Sequence, residues 1–211
     1  MTKGDATGLP ERYPVPAEKS RSDETIDRSR FIATVGRAGT VENARAFIAA
    51  VRDEFPDATH NCWAYVVGPP GDTRQIGMSD AGEPSGTAGR PMLDVLLGSG
   101  VGDVAAVVTR YYGGVKLGRG GLVRAYGGSV RLALDGLRLT ERVERTELLV
   151  EIGYPAVSPL KNALGRFEAV AVEGAYGSRV NLRIRLPREH VDAFRETVAA
   201  LTDGKGRVED A

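Results

Sequence analysis

The hydrophobic positions of this 211-residue chain change period several times, and each change marks an element. Tyr13 to Ser20 and Arg30 to Val35 read as extended, the second run carrying Phe31, Ile32 and Val35 before it stops at Gly36. Val41, Ala44, Phe47, Ile48 and Val51 fall at helical spacing, which predicts a helix from Val41 to Phe55 ended by Pro56. Cys62 to Val67 is a strand closed by the Gly68-Pro69-Pro70-Gly71 turn, with Gln75 to Met78 as its hairpin partner. After a long polar loop a helix begins near Thr87 or Arg90 and runs through Met92 to Leu97. Pro91 is tolerated there because the first helical turn makes no internal N–H bonds. Val104 to Thr109 reads as a strand of the buried type, and Leu122 to Leu137 as a helix.

The pattern restarts around Leu139 to Arg142. Glu147 to Gly153 alternates as a strand, and Pro155 to Phe167 reads as a helix with proline at its start. Val170 to Glu173 and Val180 to Leu186 are strands joined through Gly174 to Ser178. Glu189 to Leu201 is an amphipathic helix, with a short strand expected near Arg207. The order βαββαβ is that of a ferredoxin-like module. The chain is therefore expected to be an α+β protein with a boundary near Glu141. A flexible tail is assigned to 1–12, a mixed-sheet domain to 13–140, and the ferredoxin-like domain to 143–211.

Composition narrows the function classes. Lys and Arg number 28 and so do Asp and Glu, giving zero net charge, so any nucleic-acid contact must come from a local patch. The single cysteine excludes an internal disulfide framework and suits a reducing compartment. Nothing near the N-terminus has the apolar core of a signal peptide, and no apolar run approaches the roughly twenty residues of a membrane span. A cytoplasmic protein with no membrane partner is expected.

Cationic charge is local. From Val104 through Leu134 there is no Asp or Glu, yet Arg110, Lys116, Arg119 and Arg124 surround the glycines Gly113, Gly114, Gly118, Gly120 and Gly121. Two segments share a design. Ser79 to Pro91 and Leu117 to Gly121 both read as Gly-rich loops opening a helix, where free amides and the helix dipole favour an anion. Ser85 and Thr87 add hydroxyls to the first; Lys116 and Arg124 add charge to the second. The competing reading makes the glycines tight turns and Thr87 an N-cap. Neither segment is a Walker loop or GxGxxG, which argues against a nucleotide-hydrolysing P-loop.

Asp80 and Glu83 have the spacing of paired carboxylates for acid–base or metal chemistry; a solvated acidic loop, or partners for Arg90 or Arg110, is the preferred reading. His60 and Cys62 share a strand face but lack an orienting third group, and they are too few for zinc. Packing is favoured for them, with His60 and Asn61 lining a groove at the start of the strand. Arg179, Asn181, Arg183 and Arg185 share a face of one C-terminal strand. They lack the stacking aromatics of an RNA-reading sheet, and cross-strand pairs with Glu147 and Glu151 should absorb their charge.

The motifs THNCWAY (Thr59 to Tyr65), SDAGEPSGTAGRPML (Ser79 to Leu93) and VVTRYYGGVKLGRGGLVRAY (Val107 to Tyr126) carry a resemblance to the IMPACT family, in its bacterial YigZ-type branch. It spans about Ser29 to Leu137. The resemblance implies an N-terminal α/β sandwich like the second domain of a small-subunit ribosomal protein. It also implies a C-terminal ferredoxin-like domain similar to the last domain of elongation factor G. Eukaryotic relatives restrain a starvation-responsive kinase but carry a different partner domain; for bacterial members a ribosome- or nucleic-acid-linked role is the usual inference. By motif, the matching positions are His60, Asn61, Asp80, Gly82, Glu83, Ser85, Gly86, Thr87, Gly89, Arg90, Thr109, Arg110, Tyr112, Gly113, Lys116, Gly118, Gly120, Gly121, Arg124 and Tyr126. Tyr112 stands where Phe is common, and Ala81 replaces a frequent Asp, which weakens a metal-binding carboxylate cluster.

The expectation is a non-enzymatic, translation-linked regulator that binds RNA, or a ribosome- or translation-associated partner, through a Gly-rich basic groove. No cofactor, metal or DNA specificity is expected. In it Arg110, Lys116 and Arg124 contact phosphates or carboxylates, Thr87 and the loop amides complete the cradle, and Tyr112 or Tyr126 stacks on a base. The alternative is a small-molecule enzyme or nucleotide- or phosphate-binding protein using the same two loops.

Overall fold

The structure is a computed structural model that describes residues 10–211. Most of the tail assigned to 1–12 lies outside the described residues, and Arg12 already belongs to a strand. The chain divides into two compact units between Arg142 and Val143.

In the first unit, β1 (Arg12–Pro16) pairs with β7 (Leu139–Val143) in a two-stranded ribbon. The main sheet has five strands in the order β2 (Ser20–Ile26), β3 (Ser29–Arg37), β6 (Val104–Tyr111), β4 (His60–Val67) and β5 (Gln75–Ser79). All neighbours in it are antiparallel. The apolar run that reads as a buried strand is β6, the central one, buried from Val104 to Arg110. Helices cover both faces. On one, α1 (Val41–Glu54) packs Phe47, Ile48 and Val51 against Tyr65, Val67, Ala105 and Val107. On the other, α2 (Gly89–Gly98) and α3 (Gly118–Asp135) pack Met92, Leu96, Leu122 and Tyr126 onto Phe31, Cys62, Ala106 and Val108. Alternation along β6 therefore sends Arg110 to the α2/α3 face and Thr109 to the α1 face.

The second unit has the strand order β11 (Arg207–Asp210), β8 (Arg145–Ile152), β10 (Val180–Pro187), β9 (Val170–Tyr176), again antiparallel throughout. With α4 (Val157–Ala163) and α5 (Val191–Leu201) this is the ferredoxin-like arrangement. Leu148, Val150, Ile152, Leu182, Ile184 and Phe194 fill its core. On the opposite sheet face Arg179 meets Glu151 at 2.9 Å, Arg185 meets Glu147 at 2.6 Å, and Arg183 reaches Glu147 and Glu173. The basic strand face is thus neutralised from within its own sheet.

Several elements differ from the sequence reading. The extended run from Tyr13 to Ser20 is broken between β1 and β2, and β2 continues to Ile26. That polar stretch is an edge strand, which needs few apolar residues. The helix read from Pro155 to Phe167 is a short α-helix flanked by 3₁₀ turns at Tyr154–Ala156 and Leu164–Phe167. The most consequential change concerns Leu117 to Gly121, read as a loop: Gly118 to Gly121 are the first turn of α3.

Candidate site at the N-terminus of α3

The site grows from the end of β6. Arg110, the penultimate residue of the central strand, faces α3 and is 4% exposed. Burying a guanidinium in a largely apolar layer is costly without a partner. Glu83 supplies it: Oε1 accepts from Arg110 Nη1 at 2.6 Å and from the Tyr126 hydroxyl at 2.7 Å. Arg110 Nη2 donates to Ser29 Oγ at 3.2 Å, and its guanidinium lies 5.3 Å from the Phe31 ring and 5.4 Å from the Tyr112 ring. Two polar atoms stay unused: Arg110 Nε is buried without a hydrogen-bond partner, and no hydrogen bond reaches Glu83 Oε2 among the described residues.

Above this pair lies a groove of about 380 Å³ lined by Glu83, Pro84, Arg110, Tyr112, Lys116, Leu117, Gly118, Arg119 and Leu122. Tyr112 is 45% exposed and forms one wall. The turn that carries it needs glycine at 113, where a Cβ would lie 1.8 Å from the Arg28 carbonyl oxygen. The Gly113 amide donates to Ser29 Oγ at 3.2 Å, so one serine holds both the turn and Arg110. The chain then enters α3 through Gly118 at φ +68°. No side chain caps this helix and no acid stands in its first turn, so its N-terminal amides and dipole are uncompensated. Lys116, Arg119 and Arg124 are exposed beside it. None of the three makes an ion pair among the described residues; Arg119 donates to the Ser85 carbonyl at 2.8 Å and ties the two segments together.

The other segment is built differently. Asp80 Oδ2 accepts from the Gly86 amide at 2.8 Å, and Oδ1 from the amides of Ala88 at 3.0 Å and Gly89 at 2.8 Å. Burial pushes the Asp80 pKa upward, but these amides and the nearby Arg119 charge outweigh it and hold the carboxyl below its ordinary value. The anion cradle at α2 is therefore filled by the chain's own carboxylate. Gly89 permits it, since a Cβ there would press on the Ser79 backbone at 2.9 Å. Thr87 is buried and donates to the Pro84 carbonyl at 2.6 Å, so it neither caps α2 nor faces a ligand.

The remaining expected residues scatter. Arg90 pairs with Asp94 on the exposed side of α2 at 2.9 Å. Tyr126 is fully buried, stands edge-on to Phe31 and cannot stack on a base. Asn61 and Thr109 share the α1 face, joined at 2.7 Å, away from this groove; His60 and Asn61 line a separate one with Thr59 and Ala81 at the start of β4, as expected. His60 faces the Ala81 carbonyl through Nδ1 at 3.0 Å, with Nε2 3.9 Å from Glu83 Oε1. Cys62 donates to the Asp80 carbonyl, and burial pushes its thiol up to about 12, which removes it as a nucleophile. No group of three metal-ligating side chains occurs among the described residues. Pro84, Leu117 and Arg119 also line the groove; they fall inside the two expected segments, and Arg119 is one of the cations of the acid-free window. Leu122 lies outside those segments and lines the groove because α3 starts at Gly118.

The Impact N-terminal domain family matches residues 27–134, over half the chain and all of this site. The chain belongs to the IMPACT family. A domain family of unknown function, DUF1949, matches 150–205. IMPACT family member YigZ of Escherichia coli (strain K12) is 43% identical over 194 residues, 92% of this chain and 95% of the relative. IMPACT family member YvyE of Bacillus subtilis (strain 168) is 37% identical over 193 residues, 92% and 88% of the two chains. A solved structure described as a hypothetical protein is 42% identical with a TM-score of 0.70, covering 96% of this chain and 98% of that one. The YigZ-type assignment thus holds across both domains. No helix among the described residues is long and apolar enough to cross a membrane.

Proposed function

We propose that this IMPACT protein is a translation-linked regulator that binds RNA, with phosphate seated on the uncapped N-terminus of α3. The observation that carries the reading is the concentration of unneutralised positive character there. Helix amides with no cap, Lys116, Arg119 and Arg124 converge on one surface of a chain whose overall charge is zero. Arg110 is not part of this contact surface; its charge is matched by Glu83. Asp80 and Glu83 are both engaged in structural bonds, which favours a binding role over acid–base catalysis. The translational setting is what family membership leads one to expect.

Fluorescence anisotropy with a single-stranded RNA across a salt series tests this. Affinity should fall steeply with salt, and Lys116→Ala should weaken binding and flatten the logarithmic slope by roughly 0.7–1. A slope near zero, or a variant with unaltered slope, refutes the RNA reading.

A further inference from the structure

Resting on that reading, we propose that the groove under Tyr112 is a base subsite: it takes one unstacked nucleobase of the RNA whose phosphate sits on α3. A phosphate cradle alone needs no cavity and no acceptor. This site has both. The groove of about 380 Å³ is bounded by the exposed ring of Tyr112 and the apolar side chains of Leu117 and Leu122. A flat aromatic wall beside a cationic helix end is the arrangement that holds a single-stranded base, because every base offers a π-face.

The floor supplies the polar half of the recognition. The Glu83 side chain is only 3% exposed, yet its Oε1 takes both protein hydrogen bonds while Oε2 has no partner. A carboxylate oxygen with no protein partner on a residue that lines the groove is open to an N–H donor. Arg110 Nε, buried in the same wall, is an unused donor beneath Tyr112. Every base presents an N–H on its pairing edge, which such an acceptor can take. The subsite therefore registers that a base is present and is tolerant of which one. A phosphodiester carries no N–H or O–H to offer Glu83, so the same carboxylate repels it.

The test compares an oligouridylate of about ten nucleotides with the same ribose–phosphate chain lacking its bases, at fixed salt. The intact oligomer should bind at least about tenfold more tightly. Tyr112→Ala, at an exposed position, should reduce that difference to less than about threefold while the salt slope stays unchanged. Glu83→Gln, used only if it still unfolds cooperatively, should likewise lower the affinity of the intact oligomer alone. Equal affinity of the two oligomers for the unsubstituted protein overturns the base subsite and leaves the phosphate reading standing. Failure of both oligomers to bind overturns both. Retention of the full difference in Tyr112→Ala also overturns the subsite.

Discussion

Helices α2 and α3 pack together on one face of the same sheet, but their N-termini are completed differently. At α2 the amides of Gly86, Ala88 and Gly89 converge on Asp80, a carboxylate from the chain's own loop. At α3 there is no cap and no acid in the first turn, and an apolar groove opens where an acid could have stood. The same sequence chemistry, glycines leading into a helix, thus serves closure in one case and exposure in the other. Motif composition does not tell the two apart; the presence of a carboxylate at the right distance in the preceding turn does. The proposed binding function is assigned to the N-terminus that folding leaves uncompensated.

The largest perturbation acts beneath α3. Glu83→Gln keeps the shape of the side chain but leaves Arg110 charged in a site that is 4% exposed. Removing one partner of a buried pair costs about 3–5 kcal/mol, so chemical denaturation should show a loss of that size. A loss below about 1 kcal/mol would mean that water reaches the Arg110–Glu83 pair.

Opening the α2 terminus should cost less and has a second readout. Asp80→Ala removes three amide hydrogen bonds from one carboxylate, a loss of about 2 kcal/mol by the usual worth of a helix cap and charged hydrogen bonds. The emptied amides should then accept an external anion. Millimolar inorganic phosphate should raise the melting temperature of Asp80→Ala by more than it raises that of the unsubstituted protein. Equal increments would break the comparison, because the α2 amides would then not be an anion cradle at all.

The converse substitution fills α3 instead. Gly120 lies in the exposed first turn, and a Cβ there meets only the flexible end of Arg124 at 3.6 Å. Gly120→Glu should stabilise the protein by about 1 kcal/mol through helix propensity and the dipole. RNA binding measured by anisotropy should weaken at least about fivefold, because the new carboxylate would stand at the proposed phosphate position. Opposite signs for stability and binding separate a functional vacancy from a structural one. Loss of both would show that the first turn of α3 depends on its glycine.

The strands and helices were legible in the sequence wherever burial imposed a period. The central strand β6 and the helices α1 and α5 show it plainly, because their apolar residues have one face or two to fill. The edge strand β2 was hidden by Arg21, Asp23 and Glu24, which an edge tolerates and a periodicity scan does not see. The start of α3 was hidden by Gly118, Gly120 and Gly121, residues that propensity assigns to a loop and that tertiary packing of Leu122 and Tyr126 carries into a helix. The boundary moved from Leu122 to Gly118, while the expected means of holding an anion, free amides at a helix N-terminus, is unchanged. Arg110 shows the other limit: a carboxylate partner from the Asp80–Glu83 segment was expected for Arg90 or Arg110, and the fold resolves the choice by pairing Glu83 with Arg110, 27 residues away, and leaving Arg90 to Asp94.

The smallest effect expected is the pH dependence of the Asp80 cap. Its carboxyl titrates below the ordinary range in the folded protein, so the contribution to stability is present above the unfolded value, about 3.9, and is lost as the pH falls through the lower folded value. Asp80→Asn has no such titration. The stability difference between the two proteins, measured by urea denaturation, should therefore stay constant from pH 7 to about pH 5 and shrink below about pH 4. At α3 no carboxylate caps the helix, and Gly120→Glu should import the same kind of acid-sensitive difference there. If the Asp80→Asn difference is independent of pH down to about pH 2.5, the amides of Gly86, Ala88 and Gly89 are not held by a charge, and the contrast between a filled and an open helix terminus loses its electrostatic basis.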